Sequence, residues 1–594
     1  MKGSGKSTAT NESGQTGTDW RMLRRLFGYI AVHKRLFIVA LALYPIDALT
    51  VVAPPYLVRQ ILDVAIPGAD LELLRRLALV YVVALAVEYG AGFASQMAMS
   101  VLGQRSVMTL RADLFRHVQK LPAAFFDRQP VGRVLTRLTN DVEALGDVFA
   151  TGAVTVIGDL VTLAALIGMM LWLDVRLTLF AFLVAPPLLV LMAVFRNYAR
   201  KAFRAIRRHL AAINTYLNEH IAGMSVVQVF RQQERSEQEF VALSRGYRDA
   251  NRTAIQFDAL LYAVVEAIGT AAIAALIWYG AVDLSTGAVG AGTFVAFIQY
   301  VRRFFVPIRD LSMKYTIIQA ALVAAERCLQ LLDEKIVIES PLSPQPVARV
   351  RESIELRGVW FAYNEPVDSA GWILRDLNVC VRKGERVALV GATGSGKTTI
   401  LKLLNRSYDV QKGSVCVDGV DIRRLNLGDL RRLFAVVMQD VHLFTGTVMD
   451  NLALTDTVTE EAIRGAARAV RAESFLLRLP AGYDTPVQEL AKNFSAGERQ
   501  LLAFARALAL DPEILILDEA TSNVDSETEA HIEAAVELLM RGRTAIIVAH
   551  RLSTIQRVDR ILVLQHGAVV EEGDHRELMR RGGVYHRLVE LQFK

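Results

Sequence analysis

Six long apolar stretches constrain this chain of 594 residues more than any other feature of its sequence. Each holds about the 20 mostly apolar residues that a helix needs to cross a membrane. After residue 350 the pattern changes to short strands that alternate with helices. We therefore expect an α-helical membrane domain followed by a soluble α/β domain. The apolar stretches lie near 36–58, 77–102, 149–173, 175–195, 258–281 and 292–313.

Domain boundaries are predicted where the composition changes. The first twenty residues are polar, so we expect no signal peptide before the first apolar stretch. Three scattered cysteines without CxxC spacing argue against a disulfide framework or a zinc site and fit a reducing compartment. The predicted parts are a disordered polar tail over 1–20, a membrane domain over 21–335, a linker over 336–352 and an α/β domain over 353–594.

Two charged inserts between the apolar stretches predict the topology. Residues 105–145 and 196–256 are helical in pattern and rich in arginine, whereas the connections 174–176 and 282–291 hold one basic residue, Arg176. Because Lys and Arg stay on the cytoplasmic side, both inserts and both termini are expected in the cytosol. A solvated helical face is a simpler interpretation of the arginine runs and fits the same topology. The placement of the basic residues behind the net charge of +6 is thus explained by membrane topology, and no nucleic acid partner is expected.

Acidic residues inside the apolar stretches have two interpretations. A charge in hydrocarbon is costly, so such a group normally faces the bundle interior or a wet cavity. The carboxylates could line a cavity that accepts amphipathic cations. Alternatively, they lie near the ends of the spans or form hydrogen bonds between helices, and two arginines at 302 and 303 weaken a purely acidic cavity. The residues concerned are Asp47, Glu88, Asp159 and Glu266.

Two lysine-bearing sequences look like phosphate-binding loops, and one of them has the required context. Residues 391–398 match G-x-x-x-x-G-K-[ST] between a predicted buried strand and a helix. The early copy around Lys6 lacks both the first glycine and the strand, so it is not expected to bind phosphate. In the later copy, backbone N–H groups and a helix N-terminus would hold the phosphates. The predicted loop residues are Gly391, Ala392, Thr393, Gly394, Ser395, Gly396, Lys397, Thr398 and Thr399.

The apolar stretches and charged inserts together resemble the membrane domain of an ABC exporter. Residues 121–145 contain the FFD, glycine and R-x-x-N-D elements of the first intracellular loop of that family, and residues 218–240 look like the second. The resemblance covers residues 21–594. It implies six membrane helices fused to a nucleotide-binding domain, with short coupling helices in the loops that dock on such domains.

The resemblance also implies roles for residues of the α/β domain. Tyr363 resembles the aromatic residue that stacks on adenine, although a strand aromatic facing the core is the alternative. Thr398 and Asp518 would hold Mg²⁺, and Lys397 would contact the β- and γ-phosphates. The other residues are Gln439, which senses Mg²⁺ and the γ-phosphate, Glu519 as general base, His550 as the switch histidine, and Asp525 in the loop that crosses to the other nucleotide site.

The signature motif departs from the family pattern. The family has L-S-G-G-Q, and this chain has F-S-A-G-E at 494–498. Ser495 retains a hydroxyl for the γ-phosphate, and Gly497 permits close backbone approach. The change from Gln to Glu adds a negative charge that we expect to weaken binding. Because each ATP lies between the P-loop of one subunit and the signature of the other, the resemblance implies a dimer. The chain thus combines an altered signature with intact Glu519 and His550. This combination favours a heterodimer with a second half-transporter over a homodimer.

The predicted function is ATP-driven efflux of hydrophobic or amphipathic compounds, such as drugs or lipids, across the plasma or inner membrane. ATP and Mg²⁺ are the expected cofactors, and membrane lipid the expected surroundings. Transport of a peptide or a metal chelate on the same scaffold is one alternative. An ATP-gated regulator without net transport is the other.

Overall fold

The computed structural model describes residues 15–151, 153–183, 185–285, 290–364, 371–455, 458–518, 526–549 and 551–592. By its contacts the chain forms two units. A membrane unit runs to Val118 and again over Gly132–Asp333, and a nucleotide unit joins Gln119–Val131 to the chain from Glu334 onward. The short segment Gln119–Val131 therefore groups with the nucleotide unit, although it lies within the range 21–335 expected for the membrane domain.

Among the residues that the structure describes up to Asp333, all regular structure is helical. Helix α1 begins at Gln15, within the polar tail expected over 1–20, and residues 1–14, including Lys6, lie outside the described residues. The helices are α1 (Gln15–Ala31), α2 (Lys34–Gln60), α3 (Leu71–Val118), α4 (Ala123–Arg128), α5 (Val131–Thr136), α6 (Val142–Thr151), α7 (Ala153–Leu173), α8 (Val175–Phe182), α9 (Ala185–Ala222), α10 (Met224–Val229), α11 (Gln233–Ser285) and α12 (Ala291–Leu332).

The membrane unit contains helices that are long and apolar enough to cross a bilayer. Four such segments occur among the described residues, and they cover four of the six predicted stretches: Lys34–Ala65, Leu71–Val118, Thr155–Leu173 and Gln233–Trp278. The other two predicted stretches fall on α8 with the start of α9, and on α12. The expected α-helical membrane domain is thus confirmed. Helices α3 and α11, with 48 and 53 residues, reach about 70 Å or more and extend well beyond a bilayer.

Two basic side chains of α12 neutralise acidic residues of other helices in the membrane unit. Arg303 Nη1 lies 2.8 Å from Glu88 Oε1. Lys314 Nζ lies 2.5 Å from Asp159 Oδ2. All four side chains are less than a third exposed. Bonding between helices is therefore the arrangement found for two of the four predicted intramembrane acids.

A π-helical segment, Ile61–Ala65, follows α2 directly and caps the start of α12. Asp63 Oδ1 accepts from the N–H of Gly292 at 2.6 Å, and Oδ2 accepts from the N–H and the hydroxyl of Thr293 at 2.9 and 3.0 Å. Arg59 Nε donates to the same threonine hydroxyl at 2.9 Å. Because the first N–H groups of a helix lack partners within it and favour a negative charge, this carboxylate ties the end of α2 to the beginning of α12.

The nucleotide unit is built on strands. One sheet is antiparallel, in the order β2-β1-β4-β5, and a six-stranded sheet has the order β12-β11-β3-β10-β9-β6, with β7 and β8 paired separately. The strands are β1 (Ser353–Phe361), β2 (Leu374–Arg382), β3 (Arg386–Val390), β4 (Lys412–Val417), β5 (Val420–Asp421), β6 (Phe434–Val437), β7 (Gly446–Thr447), β8 (Pro486–Val487), β9 (Ile514–Asp518), β10 (Thr544–Val548), β11 (Arg560–Gln565) and β12 (Ala568–Gly573).

Buried apolar clusters cover the six-stranded sheet on both faces, one of them shared with the antiparallel sheet. Along β9, Ile514 and Ile516 belong to one buried cluster, and Leu515 and Leu517 belong to another. This alternation follows the period of two of a strand, and a strand buried on both faces is typical of a parallel sheet. The helices are α13 (Lys397–Leu404), α14 (Leu427–Arg432), α15 (Val448–Leu452), α16 (Glu460–Ala469), α17 (Glu473–Leu476), α18 (Ala496–Ala509), α19 (Ser526–Met540), α20 (Leu552–Ile555), α21 (His575–Arg581) and α22 (Val584–Gln592).

Candidate nucleotide-binding site

The candidate site lies at the carboxyl ends of four parallel strands. Strands β3, β10, β9 and β6 are neighbours and run in the same direction, with Val548 paired to both Leu389 and Asp518. The loop 391–396 leaves the end of β3, Asp518 ends β9, and Gln439 lies exposed two residues after β6. Ligands of open α/β sheets bind outside these carboxyl ends, so the fold brings the predicted residues to the expected edge.

Glycines allow the loop 391–396 to pack closely against its neighbours. A side chain at Gly391 would bring its Cβ within 2.3 Å of the carbonyl oxygen of Leu564, and one at Gly396 would lie 2.6 Å from Leu374 Cδ2. Gly396 also has φ = +104°, which L side chains rarely adopt, and it is the residue directly before α13. The loop therefore turns tightly into the N-terminus of α13, which is where a phosphate is favoured.

Lys397 is held over this loop by two backbone carbonyls. Its Nζ donates to the oxygens of Gly391 and Ala392 at 2.7 and 3.1 Å. The side chain is buried, and burial lowers the pKa of the ammonium group, although the nearby carboxylate of Asp518 acts in the opposite direction. A cation with few water contacts is thereby fixed beside the predicted phosphate-binding loop.

The remaining polar groups of the loop fit a magnesium-bound triphosphate. The Ser395 hydroxyl is buried and has no hydrogen-bond partner among the described residues, so it is available to a phosphate oxygen. Thr398 Oγ1 lies 3.5 Å from Asp518 Oδ2. Hydroxyl and carboxylate oxygens are the ligands that Mg²⁺ prefers, and this ion is usually held by one or two of them together with substrate phosphates. The exposed tip of the loop consists of Ala392, Thr393 and Gly394, which are the remaining predicted loop residues.

Tyr363 follows the end of β1 and lies against the start of α13. Its hydroxyl shares a hydrogen bond of 3.1 Å with Thr399 Oγ1. Its ring makes edge contacts with Phe361 and Tyr408 at centroid distances of 5.0 and 5.2 Å, and the residue is half-buried. The ring is thus fixed by the core on one side and stays partly accessible, an arrangement that suits stacking of a flat base.

The signature motif forms the start of α18. Ser495 is exposed and caps this helix: its Oγ accepts from the N–H of Glu498 at 3.2 Å, and Glu498 Oε2 accepts from the N–H of Ser495 at 2.8 Å. Gly497 is buried. The glutamate that we expected to act only as an added charge therefore has a structural role. The spacing S-x-x-E would have predicted this reciprocal cap from the sequence.

The structure does not bring every predicted residue together. Within the described residues, neither Ser495 nor Gln439 forms a hydrogen bond or ion pair with the loop 391–399. Glu519, Asp525 and His550 lie outside the described residues. Sequence reasoning also missed two residues near Tyr363. They are Lys402 on α13 and Tyr408 beyond it, and Lys402 Nζ lies 5.5 Å from the centre of the Tyr363 ring.

This geometry defines a P-loop nucleotide-binding domain that shares its chain with a helical membrane domain. Residues 37–308 match the family described as ABC transporter transmembrane region, and residues 374–522 match the family described as ABC transporter. The chain belongs to the ABC transporter family, and its domain pair is that of an ATP-hydrolysing half-transporter of the exporter type.

Relatives of known sequence and structure span nearly the whole chain. YknV, an uncharacterized ABC transporter ATP-binding protein of Bacillus subtilis, is 35% identical over 97% of this chain and 95% of its own length. A lipid A-core flippase of Syntrophus aciditrophicus is 34% identical over 96% and 95%. YheH, a probable multidrug resistance ABC transporter of B. subtilis, is 39% identical over 85% and 74%. A solved bacterial Atm1-family ABC exporter with ATP bound has a TM-score of 0.77 and 28% identity, covering 95% of this chain and 99% of its own.

Proposed function

We propose that this chain is one half of a dimeric exporter that uses ATP and Mg²⁺ to move hydrophobic or amphipathic compounds out across the plasma or inner membrane. The observation that carries the proposal is the phosphate cradle of residues 391–398 with Asp518 beside it, in a chain that also has a helical membrane unit. The nucleotide unit and both termini are placed in the cytosol, following the arginine-rich inserts.

The chain's own groups account for the proposed chemistry. Lys397 and the loop N–H groups hold the phosphates, and the Ser395 hydroxyl, which has no partner among the described residues, donates to them. Mg²⁺ bound at Thr398 and Asp518 would neutralise charge on the phosphates. The remaining roles are those that the resemblance implies: Tyr363 for adenine, Gln439 for sensing the γ-phosphate, Glu519 as general base, His550 for orienting the attacking water and Asp525 for contact with the second site.

A second half-transporter completes each nucleotide site in this proposal. Ser495 and Gly497 stand at the N-terminus of α18 and would receive the γ-phosphate held by the partner's P-loop. We favour a different polypeptide as the partner, because an altered signature accompanies Glu519 and His550, both of which are intact in the sequence. A second copy of this chain is the alternative.

The state of the purified chain tests this assembly. We expect the chain alone in lipid nanodiscs to be monomeric, or dimeric without ATP turnover, and to gain turnover when its partner is supplied. Mass photometry and phosphate release would be recorded together, with Glu519→Gln as the control that removes the general base. A dimer of this chain alone that hydrolyses ATP, and loses this activity in Glu519→Gln, would show a homodimer instead.

Lipids or other amphipathic molecules are the proposed cargo. Two intramembrane acids already have basic partners on α12, so a strongly acidic cavity is not supported. Asp47 and Glu266 form no ion pair among the described side chains and remain the candidates for a polar cavity. The lipid A-core flippases among the relatives favour a lipid, and YheH favours a drug.

Movement of a labelled phospholipid tests the cargo. The assembled transporter, isolated through a tag on this chain, would be placed in liposomes that contain a fluorescent phospholipid. We expect ATP to move the label between leaflets, as measured by dithionite quenching, and Lys397→Ala to prevent it. ATP turnover without movement of lipid or of a lipophilic dye would favour the alternatives, a peptide or metal-chelate transporter or a regulator.

A further inference from the structure

Tyr363 is held in place by more than its hydrogen bond to Thr399. The edges of Phe361 and Tyr408 meet its ring, and Lys402 Nζ lies 5.5 Å from its centroid. A cation within about 6 Å of a ring centroid is attracted by the electron-rich face of the ring. The place of the Lys402 ammonium therefore contributes to the position of this ring.

Helix α4 holds that ammonium. Lys402 Nζ donates to Asp127 Oδ2 at 3.3 Å and lies 5.7 Å from the centre of the Tyr408 ring. The Tyr408 hydroxyl donates to the same carboxylate oxygen of Asp127. One oxygen atom of α4 thus fixes two of the side chains that contact Tyr363.

Asp127 is ionised in this arrangement. Partial burial acts to raise the pKa of its carboxyl group, but the hydrogen bonds from Tyr408 and Lys402 outweigh burial and hold the pKa below its usual range. Burial and the hydrogen bond to Asp127 both raise the pKa of the Tyr408 phenol, so the phenol keeps its proton and remains a donor. The carboxylate therefore carries a negative charge opposite Lys402 at neutral pH.

The rest of α4 docks without the help of Asp127. Ala123 and Ala124 pack against the buried cluster of the nucleotide unit that contains Phe361, and Phe125 is only 6% exposed. The side chain of Asp127, by contrast, is half exposed. A change of Asp127 to asparagine would remove its charge and leave the apolar contacts of α4 in place.

We propose that Lys402 is a positioning residue for adenine, and that Asp127 of α4 sets its place beside Tyr363. The first charged insert would then contribute directly to nucleotide affinity, through the base and not through the phosphates. This inference rests on the proposed role of Tyr363 in stacking on adenine. A ring fixed beforehand loses less freedom when a base binds, which is the physical source of the expected affinity.

Competition binding on the full-length chain in nanodiscs separates base from phosphate recognition. A fluorescent ATP labelled on its ribose would be displaced by ATP and, separately, by inorganic tripolyphosphate, which has no base. We expect Lys402→Met and Asp127→Asn each to weaken ATP binding about twofold to fivefold, the range of a contact of this kind, with tripolyphosphate binding unchanged. The double variant should lose little more than either single one, because both changes remove the same contact.

Two further variants complete the test. Tyr363→Ala should weaken ATP binding at unchanged tripolyphosphate binding, and Lys383→Met, an exposed lysine beyond β2 that lies 3.9 Å from Glu513, should change neither. If Tyr363→Ala leaves ATP binding unchanged, the adenine role fails and the inference fails with it. If Tyr363→Ala weakens ATP binding but Lys402→Met and Asp127→Asn do not, only the inference is overturned. A loss of tripolyphosphate binding in Lys402→Met would overturn it too, since Lys402 would then act on the phosphates.

Discussion

Replacing Lys397 by alanine should lower ATP turnover by about 100-fold or more, the scale on which loss of one preorganised charge-stabilising donor acts. The ammonium group is buried, bonded to the carbonyls of Gly391 and Ala392, and fixed at the end of β3 where the phosphates are expected. Alanine supplies neither its charge nor its hydrogen bonds. Phosphate release by the assembled transporter measures the effect.

The chain offers a matched control for this change. Lys6 lies in a nearly identical short sequence, GSGKST, which is not expected to bind phosphate. Lys6→Ala should leave turnover unchanged. An equal loss of turnover in both variants, or unaltered turnover in Lys397→Ala, would contradict the assignment of the phosphate site to residues 391–398.

Replacing Arg303 by methionine should destabilise the membrane unit by about 3 kcal/mol, because it leaves the Glu88 carboxylate without its cation. The two side chains are 28% and 18% exposed, and the arginine also donates to the backbone carbonyl of Val51 on α2. Thermal unfolding of the purified chain in detergent, followed by tryptophan fluorescence, measures the change. The midpoint should fall by several degrees.

Removing the second charge should restore most of this loss. In the double variant Arg303→Met with Glu88→Gln, neither position carries a charge, so we expect a midpoint close to the original. The matched control is Arg235→Met, which breaks the exposed i,i+4 pair with Glu239 and should have little effect. A double variant that is less stable than Arg303→Met would show that Glu88 has another role.

Features imposed by the solvent or by local geometry could be predicted from the sequence. A bilayer admits only long apolar helices, so composition alone located the six stretches that the structure shows as helices. The loop between β3 and α13 could be predicted because strand, glycine spacing and helix follow one another within some twenty residues of sequence, and its binding of phosphate stays a prediction. Ser395 lies in this loop and Lys397 begins the helix that follows, so no long-range information was needed to predict their positions.

Contacts between distant residues could not be predicted. Asp63 and Gly292 are 229 positions apart, and no pattern in either segment shows that one caps the other. The sequence shows Arg303 and Glu88 only as charged residues within apolar stretches, and it does not indicate that they pair. The docking of α4 on the nucleotide unit, through its small apolar side chains, is likewise decided by tertiary packing rather than by the local sequence.

The grouping of Gln119–Val131 with the nucleotide unit has a consequence for biosynthesis. A ribosome makes α4 roughly 220 residues before it reaches β1, so at about 5–20 residues per second the segment waits some 10–45 s for its packing partners. Throughout that interval the face that carries Ala123 and Ala124 has no nucleotide unit to cover it. A chain that ends before residue 353 would leave this face exposed permanently. We expect chaperones and proteases to act on such a chain.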